Sequence, residues 1–206
     1  MAAVDNPVST FESGNIILRN VAFACSGQTL EIAVSGGRIS GIRKLDAPAE
    51  WICLPALVDK HVHANRAFTL TGVKPDSIRH AVALTAELLR DFRAEQYCAH
   101  ARQLFETARS HGTTGIRTHA DIDRNAGFNA LQGTLDARAG MAGDLDVAVD
   151  LHQDEHLAPD QASVEYLAEG DPADLVLVKG RNFDDILSQR PPDRITFHRG
   201  NPCGRG

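Results

Sequence analysis

The pattern of apolar and polar positions predicts short strands in the first quarter of the chain. Residues 15–53 are rich in β-branched side chains, alternate in part between apolar and polar positions, and contain a Gly36–Gly37 pair. Such alternation is typical of strands with one buried face, and paired glycines favour a tight turn between two of them. The more continuous apolar run over residues 50–63 predicts a buried strand.

The next segment carries helical periodicity. From Asp76 to Ser110 the apolar residues recur at close to helical spacing, which predicts a long helical segment. Asp76 or Ser77 is suited to the N-cap, and the glycine of His111–Gly112 is suited to the C-terminal end. A break near Asp91–Arg93 would divide the segment into two helices.

Strands and helices alternate in the remainder of the chain. Residues 113–123 and 144–156 each have the pattern of a strand that ends in polar residues, and the Ala-rich residues 126–142 between them predict a helix. A short helix over 159–169 and two strands that flank a helix over 182–189 complete the order. This alternation predicts an α/β fold with parallel strands in the middle of the chain. Active sites of such folds lie at the C-terminal ends of the strands.

Composition and charge indicate which partners and which cellular location to expect for this protein. The 206 residues carry a net charge of −6 with both signs interspersed, so we expect no nucleic-acid partner. No apolar run approaches the ~18 residues that cross a bilayer, so we expect no membrane span. The four cysteines are scattered without a CxxC pair, and residues 1–15 lack the basic and apolar regions of a secretory signal. We therefore expect free thiols and a cytoplasmic protein.

The first candidate for chemistry is the pair His61 and His63. Residues i and i+2 of a strand point to the same side, so the two imidazoles would converge at the end of the strand. Neutral imidazole is a good ligand for zinc or iron. Taken alone, an H-x-H pair also fits ordinary histidines at a strand end.

A second polar cluster follows the predicted strand near residue 150. His152 could supply a third nitrogen ligand, and Glu155 could take a proton from an activated water and return it to a leaving group. A solvated acidic loop is the alternative interpretation of this cluster. We interpret Asp154 and His156 as residues of the rim.

A third cluster follows the predicted strand that begins at Thr113. His119, Asp121 and Asp123 could orient a metal ligand or contact a substrate. A loop whose side chains cap the following helix is about equally consistent with these residues.

Taken together, these segments resemble the amidohydrolase superfamily, most closely its cytosine deaminase branch. "LPALVDKHVHANRAF" is similar to the first barrel strand with its H-x-H metal pair, and "HGTTGIRTHADID" to the second strand with its R-T-H-x-D stretch. "VDLHQDE" is similar to the fifth strand, which bears a metal-ligating histidine and the acid–base glutamate. "GRISGI" and "EGDPADLVLVKG" with "RITFHRG" resemble the two halves of the small β-sandwich of the superfamily.

The resemblance implies roles for particular residues. His61, His63 and His152 would bind one divalent metal ion, zinc or iron, and Glu155 would be the catalytic proton shuttle. From their positions at the predicted strand ends, and not from the resemblance, His119, Asp121 and Asp154 are further candidates for contacting the substrate or supporting the metal ligands. The activity implied is hydrolytic deamination of a cytosine-like or other small cyclic C–N substrate by metal-activated water.

The resemblance also implies that much of the barrel is missing, because a complete one takes ~250 residues. The segments of strand 4 and strands 6 to 8 have no counterpart, and with them a substrate-binding histidine and a metal-binding aspartate are absent. The expected architecture is a partial (β/α) barrel of about three parallel units, residues 54–169, plus a small β-sandwich built from residues 1–53 and 170–206.

Two functional hypotheses follow from the shortened barrel. The first is a metal-dependent amidohydrolase with a small-molecule substrate. The second is a non-catalytic, internally deleted remnant that acts as a binding or interaction protein. Because three parallel units leave strand edges with unpaired backbone groups, either form is expected to be a homo-oligomer.

Overall fold

The computed structural model describes residues 7–11, 15–24, 27–122, 126–151, 167–189 and 191–205. Within these ranges the elements alternate largely as the periodicity predicts, and most of the short helix expected over residues 159–169 lies outside them. The strands are β1 (Val8–Phe11), β2 (Asn15–Phe23), β3 (Thr29–Ser35), β4 (Arg38–Lys44), β5 (Trp51–Pro55), β6 (Leu57–Val62), β7 (Thr113–Ala120), β8 (Asp146–Leu151), β9 (Leu175–Lys179), β10 (Arg194–His198) and β11 (Asn201–Arg205). The helices are α1 (Ile78–Leu88), α2 (Ala94–Ser110), α3 (Asn129–Ala139) and α4 (Phe183–Gln189). None of these helices is long and apolar enough to cross a bilayer.

The described residues form two compact units. The terminal unit comprises those within Met1–Leu57, Arg109–Thr114 and Asp160–Gly206, and the central unit those within Val58–Ala108 and Gly115–Pro159. The fold is thus mixed α/β, with parallel strands in both of its sheets. The domain boundaries and the number of barrel units expected from the sequence stay predictions.

The terminal unit is built on one eight-stranded sheet. Its strand order is β11-β10-β9-β5-β2-β3-β4, with β1 also paired to β2. Alternate side chains of β2 and β3 enter the core, which explains the apolar alternation of these segments. The Gly36–Gly37 turn between β3 and β4 is confirmed, with φ values of +58° and +77° that suit glycine. The main core consists of Ile16, Leu18, Val21, Leu30, Ile32, Val34, Ile39, Trp51, Cys53, Ala173, Leu175, Leu177, Ile195 and Phe197.

The central unit contains a sheet of three strands in the order β6-β7-β8, in which β7 and β8 run parallel. The predicted helical segment is two helices, and the break at residues 89–93 confirms the expected interruption. Ser77 caps α1 by accepting a hydrogen bond from the backbone N–H of His80 at 3.2 Å. Gly112 follows α2 with a φ of +100°, as expected for the glycine at a helix end.

Helix α2 supplies the core of the central unit. Tyr97, Ala101 and Phe105 are spaced by four residues and are buried on one face of α2. Phe105 packs with residues of β7 and of the segment after α3, in a cluster of Ala64, Ala101, Phe105, Ile116, Ala137, Met141 and Leu145. This packing holds β7 in place beside β6.

The segment expected as one buried strand is two strands in two different sheets. The chain leaves the first sheet after β5, whose Trp51, Ile52 and Cys53 are buried, and enters the second with β6. In β6, Leu57 and Val58 are 52% and 60% exposed, so the expectation of a continuous buried strand is wrong there. Burial on both faces requires covering layers, and among the described residues β6 is an outer strand of its sheet.

Candidate metal and hydrolase site

Strand β6 brings His61 and His63 together at its C-terminal end. The ring centroids lie 5.5 Å apart in an edge-on arrangement. His61 is exposed and His63 is half-buried. The strand alternation that predicted convergence of these two imidazoles therefore holds in the structure.

His119 of β7 joins this pair. Its ring centroid lies 4.3 Å from that of His61 and 5.6 Å from that of His63. Along β7 the side chains of Ile116, Thr118 and Ala120 are buried, which places the half-buried His119 on the opposite face of the strand. Three imidazoles from two neighbouring strands thus form one cluster, which we call the histidine cluster.

The environment of the histidine cluster favours a neutral ring at its third member. Burial lowers the pKa of His119 below its ordinary value, and the neighbouring rings of His61 and His63 lower it further. Nearby positive charge disfavours a further proton at this position. A neutral imidazole offers one ring nitrogen as an acceptor or ligand, which is the form that metal binding and hydrogen bonding to a substrate require.

Asp121 connects the histidine cluster to the segment that follows β6. Its Oδ2 lies 3.4 Å from Nδ1 of His63 and 2.6 Å from Nε of Arg66. A carboxylate beside a ring nitrogen of a histidine can orient the ring for binding a metal ion. The sequence predicted Asp121 as a residue that supports the site, and the structure places it beside His63. Its role stays a prediction.

A buried hydrogen bond holds the end of β6 against β7. The backbone N–H of Ala64 donates to Oγ1 of Thr118 at 3.0 Å, and both residues are fully buried. This bond fixes the chain immediately after His63. It therefore fixes the position along β7 at which His61 and His63 lie beside His119.

Three charged residues near the histidine cluster were not singled out from the sequence. Arg66 pairs with Asp121, and Arg117 of β7 pairs with Asp150 of β8. In the parallel ladder, Asp150 is also the residue opposite His119. Spacing could have identified Arg117, because it lies two residues before His119 on the same face of β7.

The second half of the predicted site lies outside the described residues. His152, Asp154, Glu155 and Asp123 all fall there, so the third metal ligand and the proton shuttle stay predictions. Within the described ranges, no group of three or more His, Cys, Asp or Glu side chains has a geometry that could hold a metal ion. The donor chemistry of His61 and His63 nevertheless fits zinc or iron, and a third ligand would have to come from another part of the chain.

Comparison with known proteins supports the resemblance over part of the chain. No family model matches. The N-isopropylammelide isopropyl amidohydrolase of Pseudomonas sp. (strain ADP) is 24% identical over 151 residues, which are 66% of this chain and 37% of that protein. The chain thus spans a little over a third of the length of this curated relative.

Solved structures give the same picture. The N-isopropylammelide isopropylaminohydrolase of Burkholderia multivorans ATCC 17616 is similar with a TM-score of 0.51 and 27% identity, over 64% of this chain and 35% of that one. The 5-methylcytosine deaminase of Klebsiella pneumoniae has a TM-score of 0.56 at 17% identity, again over 64% and 35%. The latter likeness concerns the fold alone. These comparisons confirm that the chain resembles, over about two thirds of its length, part of the amidohydrolase superfamily to which cytosine deaminases and their relatives belong.

Proposed function

We propose that this chain carries the metal-binding site of a hydrolase that breaks C–N bonds in small cyclic substrates. The observation that carries the proposal is the convergence of His61, His63, His119 and Asp121 at the ends of two adjacent strands. Imidazoles together with a carboxylate are the groups that a catalytic zinc or iron site uses, and here they lie at the C-terminal ends of β6 and β7. Within the proposal, His61 and His63 hold one divalent ion, and His152 supplies the third nitrogen.

The relatives support the class of reaction. One is named as an amidohydrolase of N-isopropylammelide and another as a deaminase of 5-methylcytosine. Both names describe the hydrolytic cleavage of a C–N bond. Transferred to this chain, they favour deamination of a cytosine-like or other small cyclic compound.

The residues of the chain would divide the work as follows. His61, His63 and His152 would hold a divalent ion, which would lower the pKa of a water molecule at the site. Glu155 would accept a proton as this water adds to the ring carbon, and it would donate a proton to the nitrogen as the C–N bond breaks. Asp121 orients the ring of His63, and His119 and Asp154 contact the substrate or support the ligands.

A non-catalytic remnant is the second candidate function. It is favoured by the barrel segments, strand 4 and strands 6 to 8, that have no counterpart between the H-x-H pair and the predicted closing sandwich strands. In this form the histidine cluster would bind a ligand or a partner protein but would not catalyse a reaction.

Metal analysis separates these two candidates at the first step. Protein purified without chelator, and then supplemented with zinc or iron, is expected to carry about one ion per chain by elemental analysis. His61→Ala, His63→Ala and His152→Ala should each lose the ion. His80→Ala, in exposed helix α1, is the matched control and should keep it. A wild-type protein without metal after supplementation would exclude the hydrolase proposal.

Activity is tested on the metal-loaded protein. Glu155→Gln should keep the metal and lower hydrolysis of a cytosine-like substrate by ~10²–10⁴-fold, because a general acid–base group typically contributes that much. Metal binding without any hydrolysis across a panel of cyclic amines and amides would favour the binding protein.

We also propose that the chain self-associates. Strand β6 is an outer strand of its sheet among the described residues, and its Val58 is exposed. Open strand edges and exposed apolar side chains favour pairing with another chain. A second copy would cover this edge.

A further inference from the structure

Asn65 is an unusual polar residue beside the histidine cluster. It lies in a single 3₁₀ turn, Ala64–Arg66, immediately after the H-x-H pair, and its side chain is completely buried. Neither its Oδ1 nor its Nδ2 has a hydrogen-bond partner among the described residues. Burying an amide in this state is costly, so such a group calls for a partner beyond the described side chains, such as a water molecule.

A small cavity lies at the Asn65 side chain. Its volume is about 30 Å³, and its wall is formed by Asn65, Arg66, Ala86, Leu89, Tyr97, Asp121, Ala126 and Ala130. A water molecule needs ~10–15 Å³ of such space together with two to four polar partners. The cavity therefore has room for a water molecule and excludes anything as large as a substrate ring.

The polar part of the wall supplies the partners. The amide of Asn65 offers one acceptor and two donors, and the carboxylate of Asp121 offers acceptor oxygens. Arg66 adds donor groups and is held in position by its contact of 2.6 Å with Asp121. The wall also contains the apolar residues Ala86, Leu89, Ala126 and Ala130, which offer no side-chain hydrogen bonds to a guest.

We propose that this cavity is a binding site for one buried water molecule that bridges the Asn65 amide and the Asp121 carboxylate. Because Asp121 also contacts His63, the water forms the outer end of a chain that runs from Asn65 through Asp121 to His63. The site is built from described residues of the central unit alone. It would stand even if the metal proposal failed, since none of its contacts requires an ion.

The wild-type protein provides the direct test. The Asn65 side-chain amide protons are expected to show a nuclear Overhauser effect to a water molecule. The residence time of this water should exceed the rotational correlation time of the protein. Assignment of these protons comes from their loss in Asn65→Leu. Amide protons that are protected from exchange but show no contact to such a water would overturn the proposal.

Urea denaturation gives a second test. The direction in which the midpoint changes depends on whether the cavity holds a water molecule. Asn65→Leu removes both amide atoms at similar volume. If the cavity holds the bridging water, the variant loses that bridge and its midpoint of urea denaturation falls. If the cavity is dry, the variant removes an unsatisfied amide, and the midpoint stays or rises. A midpoint equal to or above that of the wild type would therefore contradict the proposal.

Thr134→Val is the matched control for this comparison. Thr134 lies in α3 of the same unit, is also fully buried, and donates its hydroxyl to the Ala130 carbonyl at 2.7 Å. Because this bond is local to the helix, the control should move the urea midpoint little. A fall confined to Asn65→Leu then reports the bridging water and not a general cost of replacing a buried polar group.

Discussion

Thr118 places the H-x-H pair by means of one hydroxyl group. The Ala64 N–H has this hydroxyl as its acceptor at 3.0 Å in a fully buried setting. Thr118→Val keeps the shape of the side chain and removes the acceptor. We expect the free energy of unfolding to fall by ~1–3 kcal/mol, because a buried N–H would lose its partner. Urea denaturation measures the change.

Thr118→Ser is the control for this prediction. Serine retains the acceptor and lacks one methyl group, so its loss of stability should be smaller than that of Thr118→Val. Equal losses in the two variants would show that packing, and not the hydrogen bond, is what Thr118 contributes.

Glu31 is the centre of a charge network across three strands. It pairs with Arg19 of β2 at 2.8 Å and with Arg43 of β4 at 2.9 Å. The hydrogen bond from Arg43, supported by Arg19, lowers the pKa of the Glu31 carboxyl below its usual value. Both arginine side chains are more than half exposed, at 55% and 66%, so we expect a contribution of ~0.5–1 kcal/mol only.

The sign of the pH dependence follows from the lowered pKa. The stabilisation is complete above the unfolded-state pKa of ~4.3 and is lost as the pH falls through the lower folded-state pKa. Glu31→Gln should therefore be less stable than the wild type at pH 7, and the difference should shrink on further acidification below about pH 4. Urea curves across this range measure it. Glu87→Gln, in exposed helix α1, is the control and should show no such trend.

Helix α3 can approach α2 closely because it has a glycine at the contact. A Cβ atom on Gly133 would lie 2.3 Å from the carbonyl oxygen of Ala94 and 2.7 Å from the backbone nitrogen of Cys98. Backbone atoms cannot yield as a flexible side chain does, so the helices would have to separate. Gly133→Ala should destabilise the protein by ~1–3 kcal/mol, despite the better helix propensity of alanine.

Gly140 provides the comparison at the other end of α3. Its added Cβ would meet the end of the flexible Arg102 side chain at 3.1 Å, and its φ of −71° is available to alanine. Gly140→Ala should change stability little. Thermal or urea denaturation of both variants tests the close approach, and equal effects would contradict it.

The apolar face of α1 shows how spacing can predict a helix without predicting its burial. No residue within α1 is buried, and Ile78 is 86% exposed. Val58 and Phe128 of the same unit are exposed as well. Exposed apolar side chains that lie together form the kind of surface that another chain covers.

We therefore expect self-association through the central unit. Sedimentation velocity should show a dimer or larger species for the wild type, and the double variant Val58→Lys with Val82→Lys should shift it toward monomer. Because Val82 is 60% exposed, its replacement should leave the fold intact, which circular dichroism can check. A wild-type protein that is monomeric at all concentrations would contradict the expectation.

Local physics explains what could be predicted from the sequence. The cap at Ser77, the break between α1 and α2, the glycine after α2 and the turn at Gly36–Gly37 each depend on residues a few positions apart. The pairing of His61 with His63 also depends only on the alternation of one strand. These features follow from the sequence because their causes lie within one element or one turn.

Contacts between distant segments were decided by tertiary structure. The addition of His119 to the H-x-H pair and the Arg66–Asp121 contact depend on how β6 and β7 lie side by side. The complete burial of Asn65 and the exposure of Val58 likewise depend on which layers cover which faces. Periodicity shows that a residue lies on one face of a strand or helix, but only the packing of other segments determines whether that face meets protein or water.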